Sequence, residues 1–179
     1  MFVGIGASKR RLACTKLVQS KMDSHTSVIA RTGYTSQDAI LRLPEITENS
    51  NYTHVVIQFG NNDCRVAKSE PKVSLAIFTD NLRNIVRAIE SAGKIPLLCN
   101  LQPIDSEKYS KGQPEIRSLI TTSGITPQEL QGRYSNQCEQ VATEMNVRLI
   151  DIRTKFLRMG QEAIAEDGLH PNDLGHQII

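Results

Sequence analysis

Short apolar runs alternate with longer amphipathic segments along this chain, and this alternation constrains the fold more than any other feature of the sequence. Each run has four to six residues, is rich in Val, Ile, Leu or Phe, and is nearly continuous in its apolar character. Runs of this kind are typical of strands that are buried on both faces of a parallel sheet. The predicted strands are residues 2–5, 27–30, 54–59, 95–100 and 148–152.

The segments between these runs carry helix signals. The clearest helix is predicted over residues 74–92, where apolar residues recur at i, i+3 and i+4 spacing and Gly93 supplies a stop. Another begins at Thr126, an N-cap residue followed by proline at the first helical position, and runs to about Asn146. Further helices are predicted over residues 12–21, residues 36–43 (ending at Pro44) and residues 172–179.

Strands that alternate with helices imply β-α-β units, and therefore a parallel sheet with helices on both faces. We predict an α/β protein, a three-layer α/β/α sandwich with a flavodoxin-like five-stranded parallel sheet of order 2-1-3-4-5. The 179 residues fit one domain over residues 1–179. The last helix has about two turns, so we expect it either to continue beyond the sequence or to be covered by a partner.

Composition excludes several classes of function. A net charge of +2 is too small for an electrostatic nucleic-acid binder. The four cysteines form no Cys-x-x-Cys pair, so we predict neither a metal site nor a disulfide framework. No apolar run approaches the roughly 20 residues that span a bilayer. The start of the sequence has no leader pattern, which favours a cytoplasmic protein; a secreted protein whose leader has been removed is the alternative.

Small and polar residues follow the predicted strands. Gly-Ala-Ser at 6–8 follows the first strand, Arg-Thr-Gly-Tyr at 31–34 the second, and Gly-Asn-Asn-Asp at 60–63 the third. Asp-Gly-Leu-His at 167–170 comes after the fifth strand and a short helical segment. In a doubly wound sheet the carboxyl ends of the strands meet where ligands bind. A hydroxyl, a glycine turn, an amide and an Asp–His pair at one edge are what an acyl-transfer site requires.

With these four blocks the chain resembles the SGNH/GDSL hydrolase family over essentially its whole length. The first block resembles the family's Gly-Asp-Ser, with Ala7 in place of the usual aspartate, which implies that Ser8 is the nucleophile. Gly33 resembles the second-block glycine, and residues 60–63 match Gly-x-Asn-Asp, which implies that Asn62 is the oxyanion-hole asparagine.

Residues 167–171 match the family's Asp-x-x-His-Pro block, which implies that His170 is the general base and Asp167 its orienting acid. The implied reaction is hydrolysis of a carboxylic ester through an acyl-enzyme intermediate. The backbone N–H groups of Ser8 and Gly33 and the Asn62 amide would form the oxyanion hole. No metal or cofactor is needed.

The expected partner is a small ester substrate with a short acyl group, for which an O-acetylated carbohydrate is a candidate. The polar stretch over residues 102–125 is predicted to be irregular and to cover the site, because loops of that length in compact domains are usually functional. The sequence does not indicate an oligomeric state.

Other functions stay open. Ala7 also suits a catalytically weak carbohydrate-binding module on the same fold. The glycines at positions 4 and 6, followed by Lys9, resemble a nucleotide- or phosphate-binding turn of a flavodoxin-like protein, although the third glycine of that fingerprint is missing. Ser8 is equally well explained as an N-cap, and Asn62 as a turn residue. We predict that the remaining histidines have no catalytic role and that His176 lies at the surface.

Overall fold

The computed structural model describes residues 5–22, 25–67, 70–111 and 124–179. The chain forms two compact units, each assembled from segments that are distant in sequence. The first, called the sheet unit, comprises Gly33–Leu101 and Leu130–Asp151. The second, called the terminal unit, comprises Met1–Thr32, Gln102–Glu129 and Ile152–Ile179.

The described α-helices, in chain order, are α1 (Cys14–Lys21), α2 (Ser36–Leu41), α3 (Leu43–Thr47), α4 (Leu75–Ser91), α5 (Ser106–Lys111), α6 (Pro127–Glu144), α7 (Ile152–Met159) and α8 (Asp173–Ile178). Two short 3₁₀ helices cover Arg10–Leu12 and Gly160–Ala163.

The sheet unit contains a parallel sheet of three strands. These are β1 (His54–Ile57), β4 (Ile95–Cys99) and β5 (Arg148–Ile150), in the spatial order β1-β4-β5. Two shorter strands, β2 (Val66–Ala67) and β3 (Glu70–Pro71), form a separate antiparallel pair. The register of the parallel sheet places Ile57 beside Leu98 and Cys99 beside Ile150.

Helix α4 supplies much of the core of the sheet unit. Ser74 caps its N-terminus by accepting the backbone N–H of Ile77 at 3.4 Å, and Gly93 adopts a positive φ of 71° just after the helix. Burial of each large apolar side chain contributes about 1.5–3 kcal/mol relative to exposure. The α4 face that faces this core carries the buried residues Phe78, Leu82, Ile85, Val86 and Ile89.

The terminal unit buries a smaller apolar cluster around α7. Ile152 and Phe156 of α7 are almost fully buried, as are Ala163 and Ile164 after it. Gly175 of α8 lies so close to these groups that a Cβ atom there would overlap the carbonyl oxygen of Ala163. This close approach fixes α8 within the unit.

The structure confirms three predicted strands, because residues 54–59, 95–100 and 148–152 contain β1, β4 and β5. Residues 27–30 form no strand, and Ile5 lies in a turn, while residues 2–4 lie outside the described residues. The five-stranded sheet is therefore not confirmed. An apolar run becomes a strand only where a neighbouring strand pairs with its backbone, and the run itself does not reveal that neighbour.

Two predictions about the segments between the strands need correction. The helix that begins at Ser36 ends at Leu41, before the predicted stop, and Pro44 occupies the first turn of the next helix, α3, where a missing N–H costs no hydrogen bond. The stretch over residues 102–125 is not uniformly irregular, since it contains α5. Residues 101–105 are buried, so this part is packed in place rather than laid over a surface. Residues 112–123 lie outside the described residues.

Candidate active site

His170 lies in a turn of the terminal unit that an antiparallel bridge between Ile164 and Pro171 closes. The N–H of Ala165 donates to the carbonyl of His170 at 2.8 Å. The side chain of Asp167 lies inside this turn, and its Oδ1 accepts the backbone N–H groups of Leu169 and His170, each at 2.9 Å. The backbone itself therefore fixes the carboxylate.

The other carboxylate oxygen of Asp167 accepts a hydrogen bond from Nδ1 of His170 at 2.6 Å. A carboxylate only accepts, so Nδ1 carries the hydrogen and Nε2 of the neutral ring has a free lone pair. Burial acts to raise the pKa of Asp167, but the backbone and side-chain hydrogen bonds from His170 outweigh burial and hold that pKa below its ordinary value. The pair thus has the tautomer that a general base needs.

The loop that follows β4 supports this turn. Gly168 adopts a φ of 73°, and a Cβ atom there would lie 2.6 Å from the carbonyl oxygen of Asp105. The Asp105 N–H donates to the carbonyl of Gly168 at 2.8 Å. The fully buried side chain of Gln102 donates to the carbonyl of Leu169 at 3.0 Å. These contacts position the segment between Asp167 and His170.

Ser8 is exposed, and Asp173 at the start of α8 holds it. The backbone N–H of Ser8 donates to Oδ1 of Asp173 at 2.7 Å, and its hydroxyl donates to Oδ2 at 2.5 Å. The Ser8 hydroxyl and backbone N–H lower the pKa of Asp173. In the described part of the chain no hydrogen bond joins Ser8 to His170. The structure thus brings Asp167 and His170 together, whereas the hydroxyl of Ser8 is directed to another carboxylate.

His176 holds the segment around Ser8 from within, and its predicted surface position is wrong. Its side chain is 1% exposed. Its Nε2–H donates to the carbonyl of Ile5 at 3.1 Å, and its Nδ1 accepts the N–H of Cys14 at 3.2 Å. Burial lowers the pKa of His176, so the neutral ring that these bonds require is favoured. The sequence signal was its place three residues after Asp173, on the same face of α8.

Gly33 and Asn62 belong to the sheet unit. Gly33 adopts a φ of 86°, which favours glycine, and no described atom would meet a Cβ there within 4 Å. The side-chain amide of Asn62 donates to the carbonyl of Tyr34 at 2.8 Å. The residue after Gly33 is therefore tied directly to the predicted oxyanion asparagine.

A buried carboxylate braces the loop that carries Asn62. Asp63 is fully buried and accepts the N–H of Gly60 at 3.1 Å and the N–H of Ser36 at 2.8 Å. Desolvation raises the pKa of Asp63 in spite of these hydrogen bonds, which act to lower it. The neighbouring thiol of Cys64 has its pKa raised by burial to about 12, which is the inert character expected of a buried cysteine.

The described residues contain no cluster of three or more His, Cys, Asp or Glu side chains placed to hold a metal ion. Within the same ranges, no helix combines the length and the apolar character that a membrane crossing requires.

The sheet unit contains a parallel sheet with helices, and the terminal unit contains a turn that presents an Asp–His pair. Residues 4–178 match the model of the GDSL-like lipase/acylhydrolase family, and the chain belongs to that family.

The isoamyl acetate-hydrolyzing esterase of Saccharomyces cerevisiae is 31% identical over 151 residues, which are 82% of this chain and 62% of the yeast protein. The chain thus spans less than two thirds of that relative. Among solved structures, the acetyl xylan esterase AlAXEase has a TM-score of 0.75 at 18% identity, covering 98% of this chain and 88% of that one. The psychrotrophic esterase EstA from Pseudoalteromonas sp. has a TM-score of 0.69 at 19% identity, covering 99% and 86%. Both show the same fold.

Proposed function

We propose that this chain is a serine esterase that hydrolyses carboxylic esters of short acyl groups through an acyl-enzyme intermediate. The observation that carries the proposal is the 2.6 Å hydrogen bond between Asp167 and Nδ1 of His170. It leaves Nε2 as a proton acceptor on a ring whose orientation and tautomer are fixed, which is what a serine hydroxyl needs in order to become a nucleophile.

The proposed reaction begins when the Ser8 hydroxyl turns to Nε2 of His170 and attacks the ester carbonyl carbon. His170 takes the serine proton and delivers it to the departing alcohol, which leaves an acyl group on Ser8 Oγ. Water then attacks the acyl-enzyme while His170 takes a proton from it, and His170 returns that proton to Ser8 Oγ as the acyl bond breaks, which releases the carboxylic acid. Asp167 stabilises the imidazolium that forms in each step, and its lowered pKa keeps it ionised while it does so.

The oxyanion hole is proposed to consist of the backbone N–H groups of Ser8 and Gly33 and the side-chain amide of Asn62. The carbonyl oxygen gains charge as the carbon becomes tetrahedral, and loss of one such donor typically raises the barrier by about 3 kcal/mol. The bond from Asn62 to Tyr34 supports this role, because it holds the amide beside the turn that contains Gly33.

The proposed substrate class is esters of acetate or similarly short acids. The name of the yeast relative describes hydrolysis of isoamyl acetate, an acetate ester of a small alcohol. An O-acetylated carbohydrate is the second candidate, since the polar segment after β4 would suit a hydroxylated alcohol.

The single domain and the five-stranded flavodoxin-like sheet stay predictions beside this proposal.

One alternative keeps the fold without the activity. A catalytically weak carbohydrate-binding module is favoured by Ala7 and by the bond from the Ser8 hydroxyl to Asp173 instead of His170. Binding of acetylated sugars without any release of acetate would distinguish this module from an esterase.

The test is a panel of esters that runs from p-nitrophenyl acetate to longer acyl chains and acetylated sugars. The panel is run on the parent, on Ser8→Ala and on Ser20→Ala, an exposed serine in α1. The proposal predicts hydrolysis that favours short acyl groups, lost in Ser8→Ala and retained in Ser20→Ala. Equal hydrolysis by the parent and Ser8→Ala would overturn it.

A further inference from the structure

We infer that Asp173 is a further residue of the active site, which holds Ser8 in a resting arrangement that the reaction must release. The inference rests on the proposed function, because it requires Ser8 to be the nucleophile. It concerns a residue outside the four sequence blocks that predicted the site.

The carboxylate of Asp173 does not cap its helix. The N-cap of α8 is Asn172, whose Oδ1 accepts the N–H of Gly175 at 3.1 Å. The Nδ2 of Asn172 donates to the carbonyl of Glu162 at 2.6 Å, which anchors the start of the helix. Asp173 is therefore not needed as a cap, and both of its oxygens are used on Ser8.

The two hydrogens that Asp173 holds are the two that the proposed reaction needs from Ser8. The hydroxyl hydrogen must pass to Nε2 of His170, and the backbone N–H must face the oxyanion. In the structure both point to one carboxylate, at 2.5 Å and 2.7 Å. Hydrogen bonds to an ionised acceptor are stronger than neutral ones, so Asp173 competes directly with His170 and with the substrate.

The negative charge of Asp173 also opposes the reaction. Asp173 interacts with Lys9 and His176 as well as Ser8, and its pKa lies below the ordinary value, so it is anionic at neutral pH. An anion at the nucleophile disfavours a second negative charge on the nearby carbonyl oxygen. Turnover therefore requires the side chain of Asp173 to move away from Ser8 when the ester binds.

The test compares the parent with Asp173→Asn. Asparagine has one acceptor oxygen and no charge, so it cannot hold both Ser8 donors as a carboxylate does. We expect the rate of Ser8 labelling by a small fluorophosphonate to rise by about threefold or more, with a matching rise in kcat/KM for p-nitrophenyl acetate. Asp80→Asn, at an exposed aspartate paired with Arg83 on α4, is the matched control and should leave both rates unchanged.

The amide proton resonance of Ser8 provides a second measurement besides the rates. The amide proton resonance of Ser8 should move upfield in Asp173→Asn, because its bond to a carboxylate is lost. If Asp173→Asn does not fold, Asp173→Ser serves instead, since serine is accepted near a helix start and has no carboxylate. Labelling of a folded variant at or below the parent rate would overturn the inference. If neither the parent nor the variants are labelled at Ser8, the proposed function fails, and the inference fails with it.

Discussion

Asp63 accepts two hydrogen bonds from Ser36, from its backbone N–H at 2.8 Å and from its hydroxyl at 2.5 Å, and both residues are fully buried. Asn81 of α4 donates to the same hydroxyl at 2.9 Å. The other oxygen of Asp63 accepts the N–H of Gly60. One buried carboxylate thus ties the start of α2 to the loop that carries Asn62.

We predict that Asp63→Asn destabilises the protein and lowers kcat. An amide has a single acceptor oxygen, so a buried N–H loses its partner, which costs about 1–3 kcal/mol. Urea unfolding measures this loss, and Asp80→Asn is again the control because an exposed ion pair is worth at most about 1 kcal/mol. Unchanged unfolding and kcat in Asp63→Asn would show that the carboxylate does not brace the loop.

The same pair predicts a dependence on pH. Burial raises the pKa of Asp63 in the folded protein, so the folded state holds this proton more tightly than the unfolded state. Stability from this group is therefore present below its unfolded pKa of about 4 and is lost as pH rises through the folded value. The unfolding free energies of the parent and of Asp63→Asn are compared across that pH range. The difference between them should isolate the dependence on pH that Asp63 contributes.

For His176 we predict the opposite dependence of stability on pH, at a higher pH. Burial lowers the pKa of its ring, so the unfolded state takes up the proton first as pH falls below about 6.5. Its contribution to stability is complete above that pH and decreases below it. His176→Gln removes the titration and keeps an amide donor for Ile5, so the unfolding free energy should vary less between pH 5 and 7. His25→Gln, at an exposed histidine, should keep the parent profile.

We predict that Gly168→Ala lowers both the stability of the protein and its kcat. Alanine there must adopt a positive φ, and its Cβ would meet the backbone of Asp105 and Tyr109. Gly160→Ala has a similar φ, 67°, but no described atom within 4 Å of the added Cβ, so it measures the conformational cost alone, about 1 kcal/mol. Gly168→Ala should lose about 1–3 kcal/mol more and lower kcat, since the turn holding His170 must shift. Equal losses in the two variants would contradict this account of the turn.

Features set by local chemistry were predictable from the sequence. The predicted helix over residues 74–92 agrees with α4, because its apolar period lies within the segment and its Gly93 stop follows directly. The bond between Asp167 and His170 follows similarly from a three-residue spacing in a turn.

Features set by distant partners were not predictable. The carboxylate that holds Ser8 lies 165 residues away in the sequence, and neither residue signals the other. Asp173 lies three residues before His176 in the sequence, but the burial of His176 depends on how α8 packs against Ile5 and Cys14. Residues 27–30 have the composition of a strand but form none, because composition does not specify a pairing partner.

The most direct test of the central claim is the site at which a small fluorophosphonate reacts, located by peptide mass spectrometry on the folded protein. We predict a single phosphonyl adduct on Ser8, formed at the rate at which esterase activity disappears. In Asp167→Asn the rate should fall by about 10⁴-fold, since an amide favours the wrong tautomer of His170. Loss of esterase activity with the adduct on another residue, or activity that persists with Ser8 fully modified, would contradict the assignment of Ser8, His170 and Asp167.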